Sequence, residues 1–215
     1  IVGSGFKELS FDLFALQMME GINSFPLISA SFFVLAANIM NTGLITDRIF
    51  NFANALVGHL RGGLGHVNVV GSMIFAGMSG TAVADAAGLG NIEIKAMLDA
   101  KYPMRMTIGI TGASATLGPI IPPSIAMIFY GWLANVSIAD LFMGGFIPGV
   151  IIGLLMMVQV YFVALKLKLP LTPRPPVRVM FTSFQRAILS LMTPVIIIGG
   201  IYSGLFSPTE SGAVA

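Results

Sequence analysis

Long apolar stretches separate the few charged residues of this chain. Of its 215 residues, 56% are hydrophobic and only 9% carry a charge, whereas an ordinary soluble domain carries about 25% charged residues. A soluble domain of this length would need charged helix faces and turns throughout. The composition therefore indicates an integral membrane protein.

The composition also argues against several functional classes. The chain has no cysteine and only two histidines, so it offers no thiolate metal site, no cysteine nucleophile and no three-histidine zinc site. Its net charge is only +2, and the basic residues are dispersed rather than clustered with aromatics, so nucleic acid is not an expected partner.

Three stretches have the length and apolarity of membrane-spanning helices, since a bilayer core needs about 20 apolar residues in helical form. They are residues 25–43, 137–165 and 187–206. The second opens with Ser137-Ile-Ala-Asp140, a capping-box pattern. Pro194 is expected to kink the third.

Basic residues orient these spans. Residues 166–186 carry five basic residues and no acid, with prolines that stop helix formation, so they are expected to form a cytoplasmic loop. Counting back along the chain, the loop around residues 135–140 lies outside. The basic positions at both flanks of residues 62–97, namely Arg61 and Lys95, then lie inside.

This orientation makes residues 62–98 enter and leave the membrane through one face, as a re-entrant helical hairpin. Its tip is predicted near the sequence Gly77-Met-Ser-Gly-Thr81. Non-helical backbone at membrane depth is tolerated only where it is buried in protein or lines a wet cavity. The preceding residues 47–60 are amphipathic, which fits a helix along the cytoplasmic interface.

Three prolines within five residues interrupt the next apolar region, residues 104–136. Pro119, Pro122 and Pro123 remove backbone donors and leave preceding carbonyls uncapped. A discontinuous helix at mid-membrane is typical of a substrate and ion site, because free carbonyls coordinate cations and half-helix N-termini attract anions. The alternative is a proline kink packed against its neighbours.

Asp85 lies at bilayer depth inside the predicted hairpin, where an acid costs about 2.5–3.5 kcal/mol on insertion scales and is functional by default. No Lys or Arg occurs between Arg61 and Lys95. The compensating charge must therefore be an ion, a proton or a base from elsewhere. Ligation by Ser79, Asp85 and carbonyls near Gly118 would suit a hard cation. The alternative is that Asp85 braces the second arm by bonding local amides.

The tip sequence Gly77-Met-Ser-Gly80 also matches the Gly-x-Ser-Gly motif of rhomboid intramembrane proteases. In that family the catalytic histidine follows the serine. Here His59 and His66 both precede Ser79, so the general base that activates a serine nucleophile is missing. We therefore expect no enzymatic activity.

Two long motifs carry a family resemblance. Residues 66–86 and residues 112–124 resemble, in register, the large membrane (DctM-like permease) subunit of tripartite ATP-independent periplasmic (TRAP) transporters. The similarity extends from residue 23 to residue 210. It implies an inverted-repeat, elevator-type transporter half: all-α and integral to the membrane, with a re-entrant helical hairpin and a discontinuous helix.

The resemblance also implies a function. The family's large subunit is a multi-pass protein of the bacterial inner membrane that imports organic acids, such as C4-dicarboxylates or sialic-acid-like carboxylates, by sodium-coupled secondary transport. Its partners are a small membrane subunit and a periplasmic substrate-binding protein. No cofactor other than the coupling sodium ion is implied.

Site residues follow from the resemblance at matching positions. The sodium site would use Ser79 and Asp85 with carbonyls near Gly118 and Pro119. Substrate contacts would come from three polar residues near the two tips. They are Thr81, Ser114 and Ser124.

The expected organisation is that of a first inverted repeat. The segments are a scaffold and interfacial helix (1–61), transport-domain elements (62–136), a transmembrane helix (137–165), a cytoplasmic loop (166–186), and a further helix leading into a second repeat (187–215). Ser207-Pro-Thr-Glu210 has the pattern of a helix start close to the last residue, so we expect a piece of a longer protein.

Two other interpretations remain open at this point. The same mid-membrane architecture occurs in an ion or citrate-type symporter of a different family. A structural membrane subunit would instead use the helix breaks only as packing kinks.

Overall fold

The computed structural model describes residues 11–22, 25–42, 45–169, 171–207, 210–211 and 214, and no strand occurs among them. The described chain is helical, as the sequence predicts. The helices are α1 (Phe11–Ile22), α2 (Phe25–Thr42), α3 (Ile45–Val57), α4 (Gly63–Ser79), α5 (Ala82–Ala87), α6 (Leu89–Asp99), α7 (Met104–Ala115), α8 (Ile125–Ala134), α9 (Ile138–Lys166) and α10 (Val177–Tyr202).

Two described helices are long and apolar enough to cross a membrane, by length and composition: α9 with 29 residues and α10 with 26. The Ser137 side chain caps α9 by accepting from the Asp140 amide at 3.2 Å, as the sequence pattern predicts. Residues predicted as the first span form the continuous 18-residue helix α2, which is about 27 Å long.

The predicted cytoplasmic loop is shorter than expected. The sequence predicts a loop at residues 166–186 and a last helix that begins at residue 187. In the structure, α10 begins at Val177. Only the prolines up to Pro176 interrupt the backbone. Beyond Pro176 the sequence contains no helix breaker before Pro194, so the helix forms despite its basic residues.

A helical hairpin occupies the middle of the chain, as predicted. It consists of α4 as the first arm and of α5 and α6 as the second arm. Asn68 on α4 contacts Met97 on α6, whereas Gly71, one turn later, faces Leu89, earlier on α6. The two arms are therefore antiparallel. Entry and exit through one membrane face remains a prediction.

The helix after the hairpin is discontinuous. α7 ends at Ala115 and α8 begins at Ile125, so the residues around the three prolines form a non-helical linker (116–124). α9 packs closely against this linker through a row of glycines. A Cβ on Gly149 would collide with Ile121, and one on Gly145 with Met127 and the Ile120 carbonyl. Glycine at these positions permits close approach of α9 to the linker.

α3 packs its apolar face on protein. Ile49 is fully buried and clusters with Phe75, Met78 and Leu89 of the hairpin. Phe52 of α3 contacts Phe184 of α10 with ring centroids 5.8 Å apart. The amphipathic helix predicted for residues 47–60 is therefore present, while its position at a membrane interface remains a prediction.

Candidate functional site

The hairpin turns within two residues, and local chemistry explains the turn. Gly80 ends α4 in the left-handed region with φ of 63°, and its N–H donates to the Ala76 carbonyl at 3.2 Å. Glycine adopts this conformation without a steric penalty. Thr81 then caps α5, because its hydroxyl oxygen accepts from the Ala84 amide at 3.1 Å.

The linker of the broken helix has its own closing bonds. Ser124 caps α8 by accepting from the Met127 amide at 3.3 Å, and its hydroxyl donates to the Pro119 carbonyl at 2.7 Å. This side-chain bond satisfies one carbonyl that the prolines leave without a helical partner. The Pro119 carbonyl keeps a second lone pair for another donor or a cation.

The hairpin tip lies against this linker. The Ile125 amide donates to the Gly80 carbonyl at 3.3 Å. A Cβ on Gly118 would lie 2.6 Å from the Thr81 carbonyl carbon and 2.9 Å from the Ala82 nitrogen. Backbone therefore touches backbone at this point. The structure brings the two predicted elements of the site, the tip and the helix break, into direct contact.

Ser79 and Asp85 lie on either side of the tip, and both are buried, with 0% and 1% of their surface exposed. Within the described chain, neither the Ser79 hydroxyl nor either carboxylate oxygen of Asp85 has a hydrogen-bond partner. The Ser72 hydroxyl lies close to the Asp85 carboxylate, but the geometry falls short of a hydrogen bond. The alternative was that the Asp85 carboxylate accepts hydrogen bonds from nearby backbone amides, and no such bond is present in the described chain.

The donor set suits a hard cation. It combines a hydroxyl, a carboxylate and the backbone carbonyls of a proline-broken linker, all oxygen donors. Among the described residues, no group of three His, Cys, Asp or Glu side chains could hold a metal. Unpartnered buried oxygens are costly, and the Ser79 hydroxyl and the Asp85 carboxylate are of this kind.

The three residues predicted to contact substrate have different surroundings. Ser114 and Ser124 are fully buried, and their hydroxyls bond Asn68 and the Pro119 carbonyl. Thr81 is partly exposed and uses its oxygen as a cap. Their role toward substrate stays a prediction, and Thr81 is the one that an incoming molecule reaches most directly.

Sequence reasoning did not assign a role to two buried polar residues of the hairpin. Asn68 is fully buried and bonds Thr111 and Ser114 on α7. Glu93 is 1% exposed and has no hydrogen-bond partner within the described chain. A polar amide and a second acid in an apolar helix are the sequence signals that would have indicated them.

The geometry argues against a serine protease. His66 and Ser79 both lie on α4, thirteen residues apart, which corresponds to about 20 Å along a helix. His66 is buried, as expected for a histidine packed near the hairpin entrance. A general base must reach its nucleophile at hydrogen-bond distance, and His66 does not.

Comparison with known proteins agrees with the resemblance. Residues 5–215 match the family model described as "Tripartite ATP-independent periplasmic transporter, DctM component". The sialic acid TRAP transporter permease protein SiaT of Haemophilus influenzae is 53% identical over 93% of this chain and 32% of its own length. The large permease protein SiaM of Vibrio cholerae is 51% identical, over 94% of this chain and 47% of its own length.

A third relative is named for a different substrate. The C4-dicarboxylate TRAP transporter large permease protein DctM of Pseudomonas aeruginosa is 42% identical over 94% of this chain and 47% of its own length. The chain thus spans about a third to about half of the length of the curated relatives it matches. These relatives are named as transporter permeases, which agrees with the expectation that the chain is not an enzyme. The chain belongs to the DctM component family of the tripartite ATP-independent periplasmic transporters.

Proposed function

We propose that the chain is the first-repeat part of the large membrane subunit of a sodium-coupled secondary active importer of organic acids. One observation carries this proposal: a hairpin tip bearing the unpartnered Ser79 and Asp85 lies against the non-helical linker of a broken helix. Discontinuous helices with free carbonyls at mid-membrane are the usual pointer to ion and substrate sites in secondary transporters.

Sodium is the proposed coupling ion, bound by Ser79, Asp85 and carbonyls near Gly118 and Pro119. A buried carboxylate without a basic partner is costly when ionised, so a bound cation lowers the cost of its burial. When sodium leaves, the tip loses this compensation. Such a site therefore links the ion gradient to the position of the hairpin.

A carboxylate-bearing acid is the proposed substrate class, and sialic acid is favoured over C4-dicarboxylates. The relatives named for sialic acid are 53% and 51% identical to this chain, against 42% for the relative named for C4-dicarboxylate. The Thr81 hydroxyl and the N-terminal end of α8, which Ser124 caps, offer the hydroxyl and amide dipoles that attract a carboxylate.

The family is membrane-embedded and tripartite, and we propose the finer arrangement from it. The hairpin is re-entrant, the subunit is a multi-pass protein of the bacterial inner membrane, and transport follows an elevator mechanism built on inverted repeats. A small membrane subunit and a periplasmic binding protein are the proposed partners. The cytoplasmic side carries the basic segment between α9 and α10, in agreement with the positive-inside rule.

The proposal is tested with the full-length large subunit, reconstituted into liposomes with its small subunit and its binding protein. Labelled sialic acid uptake is measured with an inward sodium gradient and with sodium replaced by potassium at equal ionic strength. We expect uptake above equilibrium only with the sodium gradient. Equal uptake in both conditions would remove sodium coupling.

A second arm of the same assay addresses the substrate class. A labelled C4-dicarboxylate is supplied in place of labelled sialic acid, at the same concentration and with the same sodium gradient. We expect uptake of sialic acid alone. Uptake of the dicarboxylate alone would reassign the substrate, while uptake of neither would overturn the proposed class.

A further inference from the structure

A buried polar link joins the hairpin to the broken helix away from the tip. Asn68 on α4 donates through Nδ2 to the Thr111 hydroxyl at 2.7 Å, and the Ser114 hydroxyl donates to Asn68 Oδ1 at 2.7 Å. Asn68 and Ser114 are fully buried, and Thr111 is 5% exposed. We call these three residues the Asn68 link.

The hydrogen-bond donors fix the orientation of the amide. Thr111 already donates its hydroxyl hydrogen to the Thr107 carbonyl at 3.0 Å, so its oxygen is left to accept, and only the nitrogen of Asn68 can supply the donor. Ser114 then donates to the remaining carbonyl oxygen at 2.7 Å, which is closer than its second acceptor, the Thr111 carbonyl at 3.1 Å. Thr111 and Ser114 are three residues apart on one face of α7, so a single amide reaches both.

The chemistry of the link is specific to asparagine. A carboxylate of the same size has no donor for Thr111, a leucine has neither donor nor acceptor, and glutamine is longer by one methylene. The Asn68 amide also approaches the Met97 sulfur on α6, at 3.9 Å. One side chain therefore touches both the return arm of the hairpin and the first half of the broken helix.

Asn68 is too far from the tip to touch an ion there. Ser79 lies eleven residues later on the same face of α4, which corresponds to about 16 Å along the helix. On the other side of the link, Ser114 lies only four residues before Gly118, whose backbone abuts Thr81. The hairpin and the broken helix are thus joined at two levels, at the tip and at the link.

We propose that Asn68 is a positioning residue for the cation site: it holds α4 and α7 in one register, so that Ser79 and Asp85 keep their place against the linker carbonyls. This inference rests on the proposed sodium coupling. The contact at the tip and the Asn68 link together prevent the hairpin from rotating relative to the broken helix. The contact at the tip alone would allow this rotation. Loss of the link lowers sodium affinity without removing any ligand.

The first experiment measures the sodium concentration for half-maximal uptake in the reconstituted full-length transporter. The variants are Asn68→Leu, Ser114→Ala and Thr111→Val. We expect half-saturation to rise about threefold to tenfold. The double variant Asn68→Leu/Ser114→Ala should match the worse single variant, because both changes break one link. Unchanged half-saturation in folded variants, or additive effects, would overturn the proposal.

A matched control separates position from general damage to the helix. Thr182 on α10 is exposed, and its hydroxyl donates to the Arg178 carbonyl one turn before it at 2.8 Å. Thr182→Val therefore removes the same chemical group as Thr111→Val from a helix outside the site. It should leave sodium half-saturation at the wild-type value. A merely structural role for the Asn68 link would lower folded yield in its variants and leave half-saturation where Thr182→Val leaves it, which also counts against the proposal.

The second experiment does not depend on transport. In the full-length protein, freed of any cysteine outside this chain, spin labels are attached to cysteines that replace two exposed residues, Val83 on α5 and Ala113 on α7; the chain itself contains no cysteine. We expect a narrow distance distribution in the otherwise wild-type protein and a broader one with Asn68→Leu. Identical distributions would overturn the proposal. If wild-type uptake is independent of sodium, the proposed function and this inference both fail. If wild-type uptake depends on sodium and the variants have the wild-type half-saturation, this inference alone fails.

Discussion

Gly118 is the position where the contact between hairpin tip and linker is tightest. A Cβ there would lie 2.6 Å from the Thr81 carbonyl carbon and 2.7 Å from its oxygen, whereas ordinary van der Waals contact begins at 3.4 Å. The Gly118→Ala substitution must therefore separate the two backbones by about 0.8 Å. Backbone atoms cannot rotate out of the way, so the tip itself has to move.

Two effects follow from this displacement. Overpacking of a close contact costs about 1–3 kcal/mol of folding free energy, which lowers the midpoint of thermal unfolding. A shift of nearly an ångström would also move the linker carbonyls out of ligand distance of the proposed sodium ion, since metal–oxygen distances tolerate only about 0.2 Å. We therefore expect sodium half-saturation to rise by about tenfold or more, equivalent to at least about 1.4 kcal/mol of binding free energy.

The assay uses the full-length protein in detergent and in liposomes. Thermal unfolding is followed with and without sodium, and uptake is measured against sodium concentration. Gly112→Ala is the matched control, because a Cβ there meets nothing within 4 Å of the described chain and alanine is favoured over glycine in a helix by up to about 1 kcal/mol. A Gly118→Ala protein with wild-type unfolding and wild-type sodium dependence would refute the contact.

Three further predictions follow from single side chains. Asp85→Asn should raise sodium half-saturation by about tenfold or more with nearly wild-type folded yield, whereas Glu93→Gln should change it by less than about twofold; the reverse order in uptake assays would move the ion site toward Glu93. Gly145→Ala should cost about 1–3 kcal/mol in thermal unfolding, because its Cβ meets Met127 and the Ile120 carbonyl, while Gly144→Ala, with open space, should cost nothing. Hydrogen bonds from the serine three residues earlier lower the pKa of Glu210. The Glu210 carboxylate therefore stabilises the helix start fully above its unfolded-state pKa, and this stabilisation is lost as pH falls through the lowered folded-state pKa. NMR titration of the side chain should give a midpoint below that of a free glutamate.

Sequence patterns predicted the features that local chemistry decides. The turn at Gly80 follows from glycine chemistry, and the caps at Ser137 and Ser207 follow from capping chemistry. At the latter, the Ser207 amide donates to Glu210 at 2.8 Å and the Glu210 amide donates to the Ser207 hydroxyl at 3.3 Å. These bonds join residues three positions apart, so the sequence alone contains both partners and their spacing.

Features that depend on distant partners were not predictable in the same way. Asn68 and Ser114 are separated by 46 positions in sequence, and nothing in either local pattern names the other. The start of α10 differs from the prediction for another reason. The prolines and basic residues of 166–186 predict a loop up to residue 186, but the prolines end at Pro176, and charge orients a segment relative to the membrane without by itself preventing a helix.

The kinds of contact around the hairpin support the proposed division of the molecule. Toward the broken helix, the hairpin makes directional bonds: Gly80 with Ile125 at the tip, and the Asn68 link below it. Toward the long helices α9 and α10, glycines allow the hairpin to make close apolar contacts. Gly77 lies against Pro194 of α10, and Met73 lies against Gly153 of α9. Directional bonds resist sliding, whereas packed apolar faces permit the small shear movements by which helices change neighbours. A moving unit would therefore comprise the hairpin with α7 and α8, and the surface that slides would be the one lined by the glycines of α9.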